Sequence, residues 1–183
     1  RRQRQMCIRD RSNPMFSTAK EIISSGDLGE ITSFRGIHAE DYMSDPKSPY
    51  TWRHEPVGGG VLADLGSHIL ATAEFLLGPI KEVMGESITV IKKRKTTNNK
   101  TKNIKIDDIS RSFVRFKSGV SGSLEANWLA TGCKMKHDFE IYGTPRPEIS
   151  LVAWGLSLSS GGHGVVPCQV LWGCPIVRWS TCC

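Results

Sequence analysis

Asp64 and His68 stand four residues apart in GGGVLADLGSHIL, residues 58–70. On a helix that spacing stacks two side chains on one face, with Cβ atoms roughly 5–6 Å apart. A carboxylate beside an imidazole favours the imidazolium and fixes the orientation of the ring. The pair therefore has the makings of a general acid/base, since an imidazole has a reference pKa of about 6.5. A surface ion pair meets the same spacing. So does an acid that merely faces the N–H groups and dipole at a helix start, where Asp64 would lie.

The residues ahead of this segment could serve a ligand or only the chain. Gly58, Gly59 and Gly60 either turn the backbone or let a ligand approach a helix N-terminus. Upstream, YTWRH at 50–54 offers an aromatic plate, Trp52, and a fixed cation, Arg53. Such residues suit a polyhydroxylated or phosphate-bearing ligand, although a tryptophan is more often a core plug.

Several elements must position these groups. Ser12-Asn13-Pro14 reads as a cap followed by proline at the first helical position. Phe16, Ala19, Ile22 and Ile23 then recur at helical spacing, and Ser25-Gly26 ends the helix. ITSFRGIHAEDY reads as a strand, and 43–60, with three prolines and three glycines, as a loop. Val61, Leu62, Leu65, Ile69, Ala73 and Leu76 form one apolar helical stripe that Gly78-Pro79 stops. Four strands are expected next: EVMGESITVI, IKIDDISRSFVRFK, VSGSLEANWL and HDFEIYG, the second and third joined by a turn at Ser118-Gly119. The alternation predicts an open, mainly antiparallel sheet, with helices on one face and the other face wet or covered by a partner. Two helices followed by a run of strands is the α+β class.

The chain has 183 residues, enough for one domain with a core, and 39% hydrophobic and 23% charged residues, ordinary for a globular protein. No apolar run approaches the ~18–20 residues of a membrane helix, and no apolar segment follows the basic start as a secretory signal requires. The net charge of +6 raises the possibility of nucleic acid. Seven lysines and arginines fall between Lys92 and Lys105 with no acid among them, but no aromatic interleaves them. The run reads as a solvated hairpin loop or, second, as a phosphate-binding loop; nucleic acid is not expected. Cys168 and Cys174 are too far apart for a metal knuckle, with only His163 nearby, so no metal is expected.

Both ends differ from the middle. RRQRQMCIRDR, residues 1–11, has no periodicity and resembles translated adapter sequence. From Leu151 to Cys183 the only formally charged residue is Arg178, while three of the five tryptophans and four of the six cysteines crowd there. That stretch is either a buried or interface-forming segment or an out-of-frame translation beginning near Pro145.

The run YTWRHEPVGGGVLADLGSHILATAEFLLGPIKEV resembles the Gfo/Idh/MocA oxidoreductases, which act on sugars and polyols with NAD or NADP. AKEIISSGDLGEITSFRGIHAEDYMSDP and FEIYGT are similar to the same family, so the likeness covers residues 12–144. The resemblance implies an α+β domain with an open antiparallel sheet that often forms the subunit interface, preceded by a Rossmann domain. It implies that His68 takes the substrate proton as hydride passes to the nicotinamide, with Asp64 as its partner. It places Arg53 and Trp52 on the substrate or nicotinamide side. It implies a sugar or polyol substrate, a homo-oligomer formed through the sheet, and a cytoplasmic location. The chain departs from the family's pattern in having no GxGxxG after a strand, no Glu-Lys-Pro, and a charge-poor stretch after Gly143-Thr144. It is accordingly expected to be an incomplete part of such an enzyme, lacking the Rossmann domain and inactive alone. The alternative is a non-catalytic sugar-binding or dimerisation module of the same fold.

Overall fold

A computed structural model describes residues 14–144 and the backbone of 176–179. The first described element is helix α1, Pro14–Ser25, which buries Phe16 and Ala19 and stops at Gly26, where φ is +77°. Such a left-handed residue is nearly cost-free only for glycine. A tight turn leads into strand β1, Ile31–Ala39. The long segment that follows contains a single 3-10 turn, Trp52–His54. A π turn, Leu62–Gly66, then runs into helix α2, Ser67–Leu77, which ends at Gly78 with φ +86°. Strands β2 (Ile80–Ile88), β3 (Lys93–Lys95), β4 (Thr101–Asn103), β5 (Ile109–Phe116), β6 (Ser121–Asn127), β7 (Lys136–Gly143) and β8 (Ile176–Trp179) complete the described elements.

Six strands form one sheet in the order β2-β5-β6-β1-β7-β8, and β3 pairs with β4 in a separate hairpin. Every pairing in the large sheet is antiparallel except β1 with β6. The α+β architecture and mainly antiparallel sheet agree with the expectation. The parallel pair is new, and it places the first and sixth strands side by side at the centre of the sheet.

The main core lies between α2 and the sheet. Ile69, Ala73 and Leu76 pack on Phe34, Phe116, Leu124 and Phe139, all at most 5% exposed. Burying each of the leucine, isoleucine and phenylalanine side chains contributes about 1.5–3 kcal/mol. The helix approaches β1 closely because Gly36 has no side chain: a Cβ there would lie 2.8 Å from Ile69. Val61, Leu65, Ile104, Ile106 and Trp128 form a second core beneath the long segment. Two sequence expectations change here. Leu62 is 44% exposed rather than part of the buried stripe, because it stands in the π turn, whose wider winding breaks the 3.6-residue period. The strand expected from Ile104 begins instead at Ile109, since Ile104 and Ile106 peel away to fill the second core.

Among the described residues no helix packs on the sheet's other face. Met84 and Phe113 stand 70% and 66% exposed on it, beside the ion pairs Arg35–Glu140 and Arg111–Glu125. The segment 1–11, the cap Ser12-Asn13, and the outlying His163, Cys7, Cys168, Cys174, Cys182 and Cys183 lie outside the described residues, as do the readings attached to them. The question whether 145–183 is out of frame or an interface also falls there, apart from the backbone of β8.

Candidate active site

The glycine run folds the chain back on itself. Gly58 and Gly60 have φ of +78° and +97°, and the Gly59 and Gly60 amides donate to the carbonyls of Glu55 and Arg53. At the helix start, the Val61 amide donates to the Asp107 carbonyl at 3.0 Å and the Leu62 amide to Asp107 Oδ2 at 2.8 Å. Asp107 is thus an N-cap supplied from a distant loop. Gly60 makes room for it, because a Cβ there would collide with the Asp107 carboxylate. Of the two jobs open to these glycines, chain reversal is the one the geometry supports, and two of the helix-start N–H groups are satisfied by the protein's own acid.

Asp64 lies within the π turn, and its Oδ2 receives two bonds: Tyr42 Oη–H at 2.7 Å and Arg53 Nε–H at 2.8 Å. The Arg53 guanidinium lies 4.5 Å from the Trp52 ring centroid and 5.4 Å from that of Tyr42, within range of cation–π attraction to both. Burial foremost, then the bond to Asp64, pushes the Tyr42 hydroxyl far above its ordinary pKa, so at neutral pH it is a fixed donor. For Arg53, burial works against the charge, but the Asp64 bond and charge outweigh it and the net shift is upward. Among the described residues Asp64 Oδ1 makes no hydrogen bond. The carboxylate therefore has one oxygen held and one to offer.

His68 is 6% exposed on the first turn of α2. Its ring meets His38 edge-on at 5.3 Å and His137 at 6.5 Å. His38 and His137, opposite each other in the β1–β7 register, stack at 4.7 Å. The His38 Nδ1 lies 3.2 Å from the Leu65 carbonyl and, facing an acceptor, must carry the proton of that bond; its Nε2 lies 3.3 Å from Glu40 Oε1. His137 Nε2 meets Thr72 Oγ1 at 3.1 Å.

Among the described residues the side chain of Asp64 bonds to Tyr42 and Arg53, and no bond between it and the expected partner His68 is found. A guanidinium and a phenol give the carboxylate two strong bonds, one of them charge-assisted, and these take the place of the ring one helical turn on. The structure joins Asp64, Arg53 and Trp52 in one network and sets His68 beside it in a histidine cluster. Trp52 is 54% exposed, so it does not serve as a core plug. Spacing along one segment could not reveal His38 and His137, which reach the site on strands β1 and β7, or Tyr42, which follows β1 in a turn. One signal was available: Phe34, Gly36 and His38 share a parity, so a strand burying Phe34 must also bury His38.

Among the described residues no group of three or more His, Cys, Asp or Glu could hold a metal, and no helix is long and apolar enough to cross a membrane. Two concavities of about 480 and 580 Å³ lie on the uncovered sheet face, away from Asp64 and His68. Neither concavity includes the groups above.

Comparison with known proteins matches residues 16–145 to the GFO/IDH/MocA C-terminal domain. A levoglucosan dehydrogenase of Pseudarthrobacter phenanthrenivorans is 32% identical over 149 residues, which is 73% of this chain and 38% of that protein. An NAD binding oxidoreductase from Klebsiella pneumoniae superposes with a TM-score of 0.67 at 37% identity, covering 69% of this chain and 34% of that one. A levoglucosan dehydrogenase in complex with NADH and L-sorbose superposes with a TM-score of 0.70 at 34% identity, covering 74% of this chain and 36% of that one. The chain thus spans little more than a third of the length of these relatives.

Proposed function

The chain belongs to the GFO/IDH/MocA family, whose C-terminal domain it carries, and on that premise we propose that it supplies the substrate side of an NAD(P)-dependent oxidoreductase acting on a sugar or polyol hydroxyl. The observation that carries the reading is the state of Asp64. Two donors grip one carboxylate oxygen and leave the other for a hydroxyl, one helical turn from His68 and beside the Trp52–Arg53 plate.

In this reading His68 takes the proton of the reacting hydroxyl as general base, and returns it in the reverse direction. Asp64 Oδ1 accepts a bond from a substrate hydroxyl and so sets the sugar's orientation. Tyr42 and Arg53 act through Asp64, holding its carboxylate against rotation. Trp52 offers a flat apolar face to a sugar ring or to the nicotinamide. The nicotinamide, when bound, supplies the hydride acceptor for the carbinol carbon. The sequence carries no GxGxxG, so the family's dinucleotide-binding domain would supply most of the cofactor's hold. Levoglucosan and sorbose, named for the solved levoglucosan dehydrogenase complexes, make an anhydrosugar or ketose the first substrates to try.

The test is to place the family's dinucleotide-binding domain ahead of this chain and follow nicotinamide reduction over a panel of sugars and polyols. Turnover in the fusion and none in the chain alone is expected. No turnover from the fusion, with a sugar still binding the chain by calorimetry, would instead establish the non-catalytic module.

We also infer that the uncovered sheet face pairs with a second copy. Met84 and Phe113 leave an apolar patch between ion pairs, the composition of an interface rather than of a solvated face. Sedimentation should give an oligomer that Phe113→Glu converts to monomer; a monomeric wild-type chain would remove the inference.

A further inference from the structure

The basic run Lys92–Lys105 contributes no side chain to the Asp64–His68 site, yet it bears on it. Its strands β3 and β4 form a hairpin closed by a turn with Asn99 at φ +60°. Most of its lysines are exposed, but Arg94 is 2% exposed. Its Nη1 donates to the carbonyls of Asp45 and Ser48 at 2.8 and 3.2 Å, and its Nη2 to that of Met43 at 2.6 Å. No carboxylate neutralises it by direct contact among the described residues. A buried guanidinium spent on three backbone carbonyls is costly unless the shape it enforces is needed.

The hairpin also grips the rest of the segment. The Tyr50 amide donates to the Lys95 carbonyl at 2.7 Å. Lys102 Nζ lies 3.7 Å from Glu55 and 4.2 Å from the Tyr50 ring centroid. The stretch so held runs from Met43 to Glu55. It is flanked by Tyr42 and contains Arg53, the two donors that fix Asp64 Oδ2.

We propose that this hairpin is a brace for the substrate loop, and that Arg94 is a positioning residue that sets substrate affinity through Tyr42 and Arg53. The proposal rests on the reading of that loop as the substrate side. Its charge does its work inward, on loop carbonyls, and the outward lysines are a solvated face. Arg94 cannot be replaced by a lysine without loss, because a single ammonium group on a flexible stem does not reproduce a planar fork directed at three acceptors.

Two measurements test this on the full chain and on its fusion with a dinucleotide-binding domain. In hydrogen exchange on the chain, Arg94→Lys and Arg94→Gln should speed exchange across 43–55 and leave α2 unchanged, whereas Lys92→Ala/Lys93→Ala/Lys100→Ala should change neither. In the fusion, Arg94→Lys should raise KM for the sugar about tenfold with kcat nearly unchanged, the signature of lost binding rather than lost chemistry. Should Arg94→Gln not fold, Arg94→Lys, which keeps the charge, carries the same test. Unchanged exchange in Arg94→Lys overturns the brace. So does a triple lysine variant that raises KM as much as Arg94→Lys with a steep salt dependence, which would make the hairpin an anion site. Exchange is read without turnover, so an inactive fusion would count against the enzyme reading and leave the brace to stand or fall on 43–55.

Discussion

Arg53 donates Nε–H to Asp64 Oδ2 at 2.8 Å while its guanidinium rests 4.5 Å from the Trp52 ring. The side chains are 35% and 15% exposed, so this pair is less screened than a surface bridge. It joins the loop to the π turn and orients the Asp64 carboxylate. The acid one helical turn before His68 is thus held by Arg53 and Tyr42.

Tyr42→Phe keeps the ring and its packing but removes the second donor to Asp64. A hydrogen bond to a charged group is worth about 1.5–3 kcal/mol. In the fused enzyme kcat/KM should fall roughly 10- to 150-fold, while the unfolding midpoint moves little. An unchanged kcat/KM would mean that Tyr42 does not hold the catalytic geometry.

Gly60→Ala and Gly58→Ala differ in a way that isolates the role of Asp107. Both glycines have positive φ, which costs a non-glycine residue about 1–3 kcal/mol. At Gly58 the added Cβ meets nothing within 4 Å, whereas at Gly60 it runs into the Asp107 carboxylate. Urea unfolding should show Gly60→Ala clearly the less stable of the two, because the helix cap is lost as well. Equal stabilities would refute the cap.

His54 predicts a pH dependence. It is 1% exposed, and its Nδ1 accepts the Thr51 amide at 3.0 Å. Burial first, and the Arg94 charge second, hold its imidazole below the ordinary value. The unfolded chain, with an imidazole near pH 6.5, then binds more protons than the folded one. The contribution is fully present above that pH and is lost as pH falls through the lower, folded value. Urea midpoints taken between pH 7.5 and 5 (roughly spanning the reference value) should drop more steeply for wild type than for His54→Asn. Identical slopes would contradict the assignment.

What the sequence made legible divides by range. Helix α1 could be read because Pro14, the Phe16–Ile23 spacing and Gly26 are local signals, and the β5–β6 hairpin because Ser118-Gly119 is. The parallel β1–β6 pair could not, since nothing local tells Phe34 that Gly122 lies beside it. The same limit hid the partners of Asp64, one of them 22 residues away. Arg94 was hidden differently: within KKRK its letters look like its solvated neighbours', and only the fold shows that the alternation of β3 turns this one inward. The run IKIDDIS misled because its alternation belongs to two structures, apolar residues feeding a second core and acids serving as a cap and a buried acceptor.

The most direct measurement is kcat/KM for His68→Ala in the fusion with a dinucleotide-binding domain, beside nicotinamide affinity as a control. A positioned acid/base predicts a fall of roughly 10²–10⁴-fold with cofactor affinity preserved. A variant that turns over sugar at the wild-type rate would contradict the account at its centre.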